Sequence, residues 1–275
     1  MRRRRPWRLL WRLPQLAVAY LLLVLLMMWL ESLLVYPIWQ IPGGDWNPTE
    51  FACEDVEFAS LDGTALHGWY FAHPHPQALV LYCHGNGEHV AHLGPYMDLL
   101  RERFGVAIFA FDYRGYGKSQ GKPHQSGVLA DAQAAQAWLA QENNVHADRI
   151  VLWGRSIGGA VAVHAAVKEG ARGLILERTF TSLPEVAAHH YRWLPVRTLM
   201  RNRFDAAALI GDYRGPLLQS HGTVDEVVPF ALGQRLFALA PSDRKEFVAL
   251  PGVSHNAPNP EEYYTEVARF FERLP

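Results

Sequence analysis

Lysine and arginine are missing from the whole stretch between Leu13 and Leu100, and from Leu13 to Leu30 there is no charge of either sign. Cysteine is nearly absent too. Cys53 and Cys83 are the only two, so a disulfide-rich scaffold is excluded. No Cys/His cluster has zinc spacing, and neither the G-x-x-x-x-G-K-[ST] phosphate loop nor the G-x-G-x-x-G dinucleotide pattern occurs. No metal or cofactor is therefore expected. Asn47-Pro48-Thr49 is not a glycosylation acceptor, because proline blocks it. Charged residues make up 19% of the chain and apolar residues 49%, a globular composition. A chain of 275 residues fits one large domain or two small ones and buries enough surface to need no staple.

The net charge of −1 hides an asymmetry. Six arginines (Arg2, Arg3, Arg4, Arg5, Arg8, Arg12) crowd the first 12 residues, and the remaining 263 hold 20 basic against 27 acidic side chains. An acidic body argues against nucleic-acid binding. The basic end instead precedes an apolar run in which every residue from Leu16 to Leu30 is apolar or Tyr20. The 18 residues Leu13–Leu30 would span about 27 Å as a helix, close to the hydrocarbon thickness of a bilayer. Trp7 and Trp11 before the run, and Trp29, Tyr36 and Trp39 at or beyond its end, resemble an aromatic belt at each interface.

This pattern predicts a basic cytoplasmic tail over 1–12, a transmembrane anchor over 13–35, a Pro/Gly-rich linker over 36–50 and a catalytic body over 51–275. The arginines should stay cytoplasmic and the body should lie on the outer, extracytoplasmic side. The linker would hold the body near the lipid without inserting it. A cleaved signal peptide is an alternative, but the residues after the run (Trp29 to Tyr36) are bulky where a cleavage site wants small ones. A buried core helix is a second alternative, against which stands apolarity on all faces.

From about residue 52, short β-rich runs alternate with helical patterns. Val56–Ser60 and Ala65–Ala72 read as strands joined by a turn at Asp62-Gly63. Strands are also predicted at 78–83, 106–112, 150–154, 173–177, 216–221 and 245–250. Helices are predicted at 90–103, 126–143, 157–169, 230–240 and 261–274. This alternation implies an α/β fold: a mostly parallel central sheet with helices on both faces. Residues 179–215 are too long for a plain connection and read as a small helical lid over the strand ends.

Gly154-Arg155-Ser156-Ile157-Gly158-Gly159 ends a predicted strand and opens a predicted helix. That is the context of a G-x-S-x-G nucleophile elbow. Gly154 and Gly158 leave room for a turn so sharp that Ser156 Oγ is pushed out of the sheet. An Asp at 156 would suit halide or epoxide chemistry; serine points to acyl transfer. A serine needs a base oriented by an acid, which follow it in the order acid, then histidine. Asp225, after the penultimate strand, and His255, after the last, satisfy that order at strand C-terminal ends. Glu226 and Glu177 are alternative acids. The other histidines, such as His73, His75, His146, His189 and His190, have no comparable position.

An oxyanion hole needs two preorganised N–H donors. The Ile157 amide is one candidate. The Asn86 amide, in His84-Gly85-Asn86-Gly87-Glu88-His89, is the other, with Gly85 and Gly87 permitting close backbone approach and His84 bracing the loop.

The His84–His89 run, Asp112-Tyr113-Arg114-Gly115-Tyr116-Gly117-Lys118-Ser119 and the elbow together resemble the α/β-hydrolase superfamily over residues 55–273. They are most similar to its membrane-anchored members, to monoacylglycerol lipases and to serine aminopeptidase-like hydrolases. The resemblance implies a serine hydrolase of carboxylic esters, with some relatives acting on palmitoyl thioesters. It assigns the loop from Asp112 a structural role, so Asp112 and Arg114 are not taken as catalytic.

The lid mixes apolar residues (Leu183, Val186, Trp193, Leu194, Val196, Leu199, Met200) with Arg192, Arg197, Arg201 and Arg203. Apolar surface suits an acyl-containing small molecule or lipid. The same residues could merely pack the lid onto the sheet. An amide substrate with a free amine is the competing reading, for which the lid offers Glu185, Asp205 and Asp212. A non-catalytic binding protein on the same fold is a further alternative.

Overall fold

A computed structural model describes residues 12–40 and 43–275. The basic tail up to residue 11, with Trp7 and Trp11, and linker residues Ile41 and Pro42 lie outside the described residues. Eight strands form one sheet: β1 (Glu54–Ala59), β2 (Ala65–Phe71), β3 (Leu79–Cys83), β4 (Ala107–Asp112), β5 (Ile150–Arg155), β6 (Gly173–Glu177), β7 (Leu217–Gly222) and β8 (Lys245–Leu250). Their spatial order is β1-β2-β4-β3-β5-β6-β7-β8. β2 pairs antiparallel with both β1 and β4, and every pair from β4 to β8 is parallel.

Strands β4 to β7 are buried on both faces, which is why they read as apolar runs rather than alternating patterns, whereas β8 at the edge is partly exposed. One face packs against α4 (Gln125–Glu142) and α5 (Ile157–Glu169), through Val128, Leu139, Val161 and Val163. The other packs against α3 (Val90–Phe104) and α9 (Glu261–Glu272), through Met97, Leu100, Val267 and Phe271. Crossovers of this kind leave the C-terminal ends of β3, β5, β6, β7 and β8 along one edge, where the connecting loops gather. The β6–β7 connection carries α6 (Leu183–His190) and α7 (Val196–Leu199), the expected lid, and α8 (Phe230–Leu239) joins β7 to β8.

Helix α1 (Arg12–Trp29) is apolar and exposed, with Val24 its only buried residue; it ends at Trp29, and α2 (Glu31–Val35) lies on the domain. Glu31 and Tyr36 are buried, Tyr36 in the main core. Tyr36 therefore belongs to the domain interior rather than to an interfacial belt, whereas Trp29 and Trp39 are exposed. Beyond it, Trp46 stacks on His89 at 4.9 Å between ring centroids, and Gly44 lies so close to Ala91 that a Cβ would sit 2.4 Å from its carbonyl carbon. Two aromatic residues of the expected linker thus pack on the body, Tyr36 in the core and Trp46 among His67, Trp69 and His89.

The loop after β4 has the structural role expected of it. Arg114 is 3% exposed and bonds Asp131 of α4 through Nε and Nη2 (2.7 Å), Asp62 of the β1–β2 turn through Nη1 (2.8 Å), and Ser60. It fastens a helix to the antiparallel edge. Removing it would strand the fully buried Asp131 carboxylate. Arg114→Ala should therefore destabilise by about 3 kcal/mol or more, lowering the thermal midpoint by on the order of 10 °C in a calorimetric scan.

Candidate active site

Strand β5 delivers Ser156 into the turn before α5. Its backbone sits at φ 53°, a left-handed conformation rare for a side-chain-bearing residue. The turn is held by the Ser156 N–H donating to the Glu177 carbonyl (2.8 Å) and by Thr179 Oγ1 donating to the Ser156 carbonyl (2.7 Å). Gly154 and Gly158 answer to sterics. A Cβ on Gly154 would lie 2.2 Å from the Gly158 carbonyl oxygen, and one on Gly158 would lie 2.0 Å from the Cys83 carbonyl oxygen. The backbones of β3, the elbow and α5 are thus in direct contact.

His255 reaches the elbow from the loop after β8, with Nε2 3.2 Å from Ser156 Oγ. Its Nδ1 lies 2.7 Å from Asp225 Oδ2. Since the carboxylate accepts, Nδ1 carries the proton and Nε2 is left basic toward the serine. Burial alone would raise the Asp225 carboxyl. The hydrogen bonds from His221, His255 and the Val228 amide outweigh burial and hold it well below the usual carboxylate range. Of the alternative acids, Glu226 accepts from the His255 backbone N–H at 3.3 Å and does not meet the ring. Glu177 is engaged by Trp153 Nε1 and the Tyr263 hydroxyl, both at 2.5 Å.

The Asn86 loop faces the elbow: a Cβ on Gly158 would lie 2.5 Å from the His84 carbonyl oxygen. Among the described residues, neither the Asn86 nor the Ile157 amide donates a hydrogen bond. The Asn86 side chain is fixed from two sides, with Nδ2 donating to the Val35 carbonyl (2.5 Å) and Oδ1 accepting from the Tyr116 hydroxyl (2.5 Å). His84 is fully buried against Tyr113, its Nδ1 on the Gly85 carbonyl at 2.7 Å, and burial lowers its pKa. It braces the loop as a neutral ring.

Four contributors were not legible as such in the sequence. His221 places Nε2 on the Val228 carbonyl (2.9 Å) and 3.3 Å from Asp225, so Asp225 is shared between two histidines. Arg155 and Arg178 both donate to the His255 carbonyl, at 3.1 and 2.7 Å. Arg155 also pairs with Glu88, whose other oxygen accepts the Gly85 amide at 2.7 Å. One guanidinium therefore ties the Asn86 loop to the His255 loop. Arg155 is the variable position of G-x-S-x-G, and Glu88 lies in the His84–His89 run, so their places were marked but not their roles.

Among the described residues, no three His, Cys, Asp or Glu side chains converge into a metal-binding group. Both cysteines are free. An apolar cavity of about 370 Å³ lies between the lid and the N-terminal helices, with Asn86 in its wall.

The depressed Asp225 carboxyl links stability to pH. Its contribution is present above the unfolded value near 4 and is lost as pH falls toward the folded one. The difference in urea midpoint between wild type and Asp225→Asn should therefore be constant above about pH 5 and shrink as the pH is lowered below 4. A gap that widens in acid would contradict this.

Residues 74–204 match the family described as serine aminopeptidase, S33. A protein of Mycobacterium tuberculosis is 40% identical over 209 residues, covering 75% of this chain and 74% of its own. The alpha/beta hydrolase domain-containing protein WAV2 of Arabidopsis thaliana is 30% identical, covering 74% of this chain and 72% of its own. A membrane protein of Saccharomyces cerevisiae is 28% identical over 88% of each chain. Among solved structures, a Pyrococcus furiosus esterase superposes with a TM-score of 0.70 at 21% identity, over 85% of this chain and 96% of its own. Fold, sequence relatives and family match agree, and this chain belongs to the α/β-hydrolase family.

Proposed function

We propose that this hydrolase is a membrane-anchored serine hydrolase that cleaves acyl esters or thioesters. The observation that carries the reading is the hydrogen-bonded chain from Ser156 Oγ through His255 to Asp225, set beside two amides with no internal acceptor. Ser156 Oγ attacks the acyl carbonyl as His255 Nε2 takes its proton. The Asn86 and Ile157 amides receive the oxyanion. The C–O or C–S bond to the leaving group breaks as His255 returns the proton. Water, deprotonated by the same nitrogen, then releases the acid from Ser156. Asp225 stays ionised throughout and stabilises the imidazolium, which its depressed pKa favours.

An ester or thioester is preferred over a peptide amine because two of the three lid carboxylates have other partners. Glu185 is paired with Arg235 and Arg197 and bonded by Thr181, which together hold its pKa down at about 2. Asp205 accepts the Ala208 amide. The structurally similar Pyrococcus furiosus protein is an esterase, which agrees.

Anchoring is supported by the exposed apolar surface of α1, where Leu16, Leu22 and Leu25 are each more than half exposed. It is also supported by the yeast relative named as a membrane protein. The arginines that precede α1, with no further lysine or arginine up to Leu100 in the chain that follows, favour a cytoplasmic N-terminus and an extracytoplasmic body.

A membrane-impermeant fluorophosphonate tests nucleophile and sidedness together. It should label the wild type in intact spheroplasts and fail to label Ser156→Ala even after lysis. Labelling of Ser156→Ala would refute the nucleophile. Labelling of wild type only after lysis would invert the topology. In purified protein, Ser156→Ala and His255→Ala should each lower kcat by about 10⁴-fold or more.

A further inference from the structure

A membrane tether needs length and apolar surface only. The N-terminal helices of this protein also make a set of specific polar bonds to the parts of the domain that surround the substrate. Glu31, the only charged residue between Arg12 and Asp45, is 6% exposed. Its carboxylate accepts from the Arg201 amide (2.8 Å), the Asn202 amide (2.7 Å), Asn202 Nδ2 (2.9 Å) and Arg201 Nε (3.2 Å). A carboxylate beside lipid and apolar side chains is costly unless such donors satisfy it. Here all four come from one lid segment.

Three further bonds extend the contact. The Tyr20 hydroxyl donates to the Trp193 carbonyl (2.8 Å), Arg201 Nη2 to the Met28 carbonyl (3.0 Å), and Asn86 Nδ2 to the Val35 carbonyl. Tyr20 and Glu31 are about 16 Å apart along a helix at 1.5 Å per residue. The lid segment 193–201 therefore runs beside α1 over half its length instead of touching it at one point. Between them lies the cavity of about 370 Å³, walled by Met27 and Met28 of α1, Leu34 of α2, and Val186 and Leu199 of the lid. Asn86, on the loop whose His84 carbonyl lies against Gly158 of the elbow, lines the same space. The volume is that of a small-ligand site, and its lining is mostly apolar, with Glu31, Asn86 and His190 among its polar groups.

We propose that the N-terminal helix is one wall of the acyl-chain pocket, and that Glu31 is the positioning residue that holds it against the lid. Selectivity for long acyl chains then depends on the anchor as well as on the catalytic body. The inference rests on the serine hydrolase reading above, and its occupant is the fatty chain of the ester that Ser156 attacks. Because the wall is itself a lipid-facing helix, a chain sliding from the bilayer along α1 reaches Asn86 without crossing water.

The test uses the full chain in nanodiscs and compares kcat/KM for p-nitrophenyl laurate with that for p-nitrophenyl acetate. Glu31→Ala releases the wall, and Met28→Trp fills the cavity from α1 while keeping the Glu31 carboxylate and the Met28 backbone carbonyl that Arg201 bonds. Leu25→Trp changes the same helix at a residue that is 51% exposed and outside the cavity. The laurate-to-acetate ratio should fall about tenfold in both Glu31→Ala and Met28→Trp, and stay within about twofold of wild type in Leu25→Trp. Unchanged ratios in the first two variants would overturn the proposal, as would an equal fall in all three. A wild type that hydrolyses acetate but never laurate would also overturn it while leaving the hydrolase intact. A wild type that hydrolyses neither ester and resists fluorophosphonate would remove the hydrolase reading, and this one with it.

Discussion

The site depends on one packing constraint: three backbone segments meet where no side chain fits. Gly158 lies against the carbonyls of Cys83 and His84, and Gly154 against Gly158. This contact locks the end of β3, the turn after β5 and the start of α5 into one rigid unit. The left-handed backbone of Ser156 follows from it, since the chain must reverse within a single residue. Adjacent parallel strands β3 and β5 also carry the Asn86 and Ile157 loops, 71 residues apart in sequence, to the same edge of the sheet. Strain at the nucleophile is held by the sheet on one side and by bonds to Glu177 and Thr179 on the other.

A second layer of polar contacts holds the mobile-looking parts of the site. Arg155 and Arg178 both bond the His255 carbonyl, and Arg155 reaches across to Glu88. His221 shares Asp225 with His255. These groups orient the imidazole from behind while its Nε2 remains open to the serine. Each loop alone would be a flexible connection, but together they form a closed frame around Ser156.

The fold was legible in the sequence because parallel strands buried on both faces leave apolar runs, and the helices between them are long. Boundaries moved by one or two residues, as at β1, which starts at Glu54 because that residue pairs with Tyr70. Ser156, Asp225 and His255 could be picked out because their order and strand-end positions are local features. Arg178 and His221 could not, because their partners lie 77 and 4 residues away through contacts that only the folded chain creates. The N-terminal segment was half legible. Hydropathy reads the exposed face of α1 correctly, but it is blind to polar bonds such as Glu31 to Asn202, 171 residues apart. A hydropathy plot sees Glu31 as an interruption in an apolar run; in the fold it is the joint between the N-terminal helices and the lid.

The most direct measurement is a structure of the full chain after reaction with a long-chain alkyl fluorophosphonate. Phosphorus should be bonded to Ser156 Oγ, with its free oxygen within hydrogen-bond distance of the Asn86 and Ile157 amides and His255 Nε2 nearby. The alkyl chain should lie between the lid and α1. Phosphorus on any other residue, or an oxygen turned away from both amides, would contradict the account.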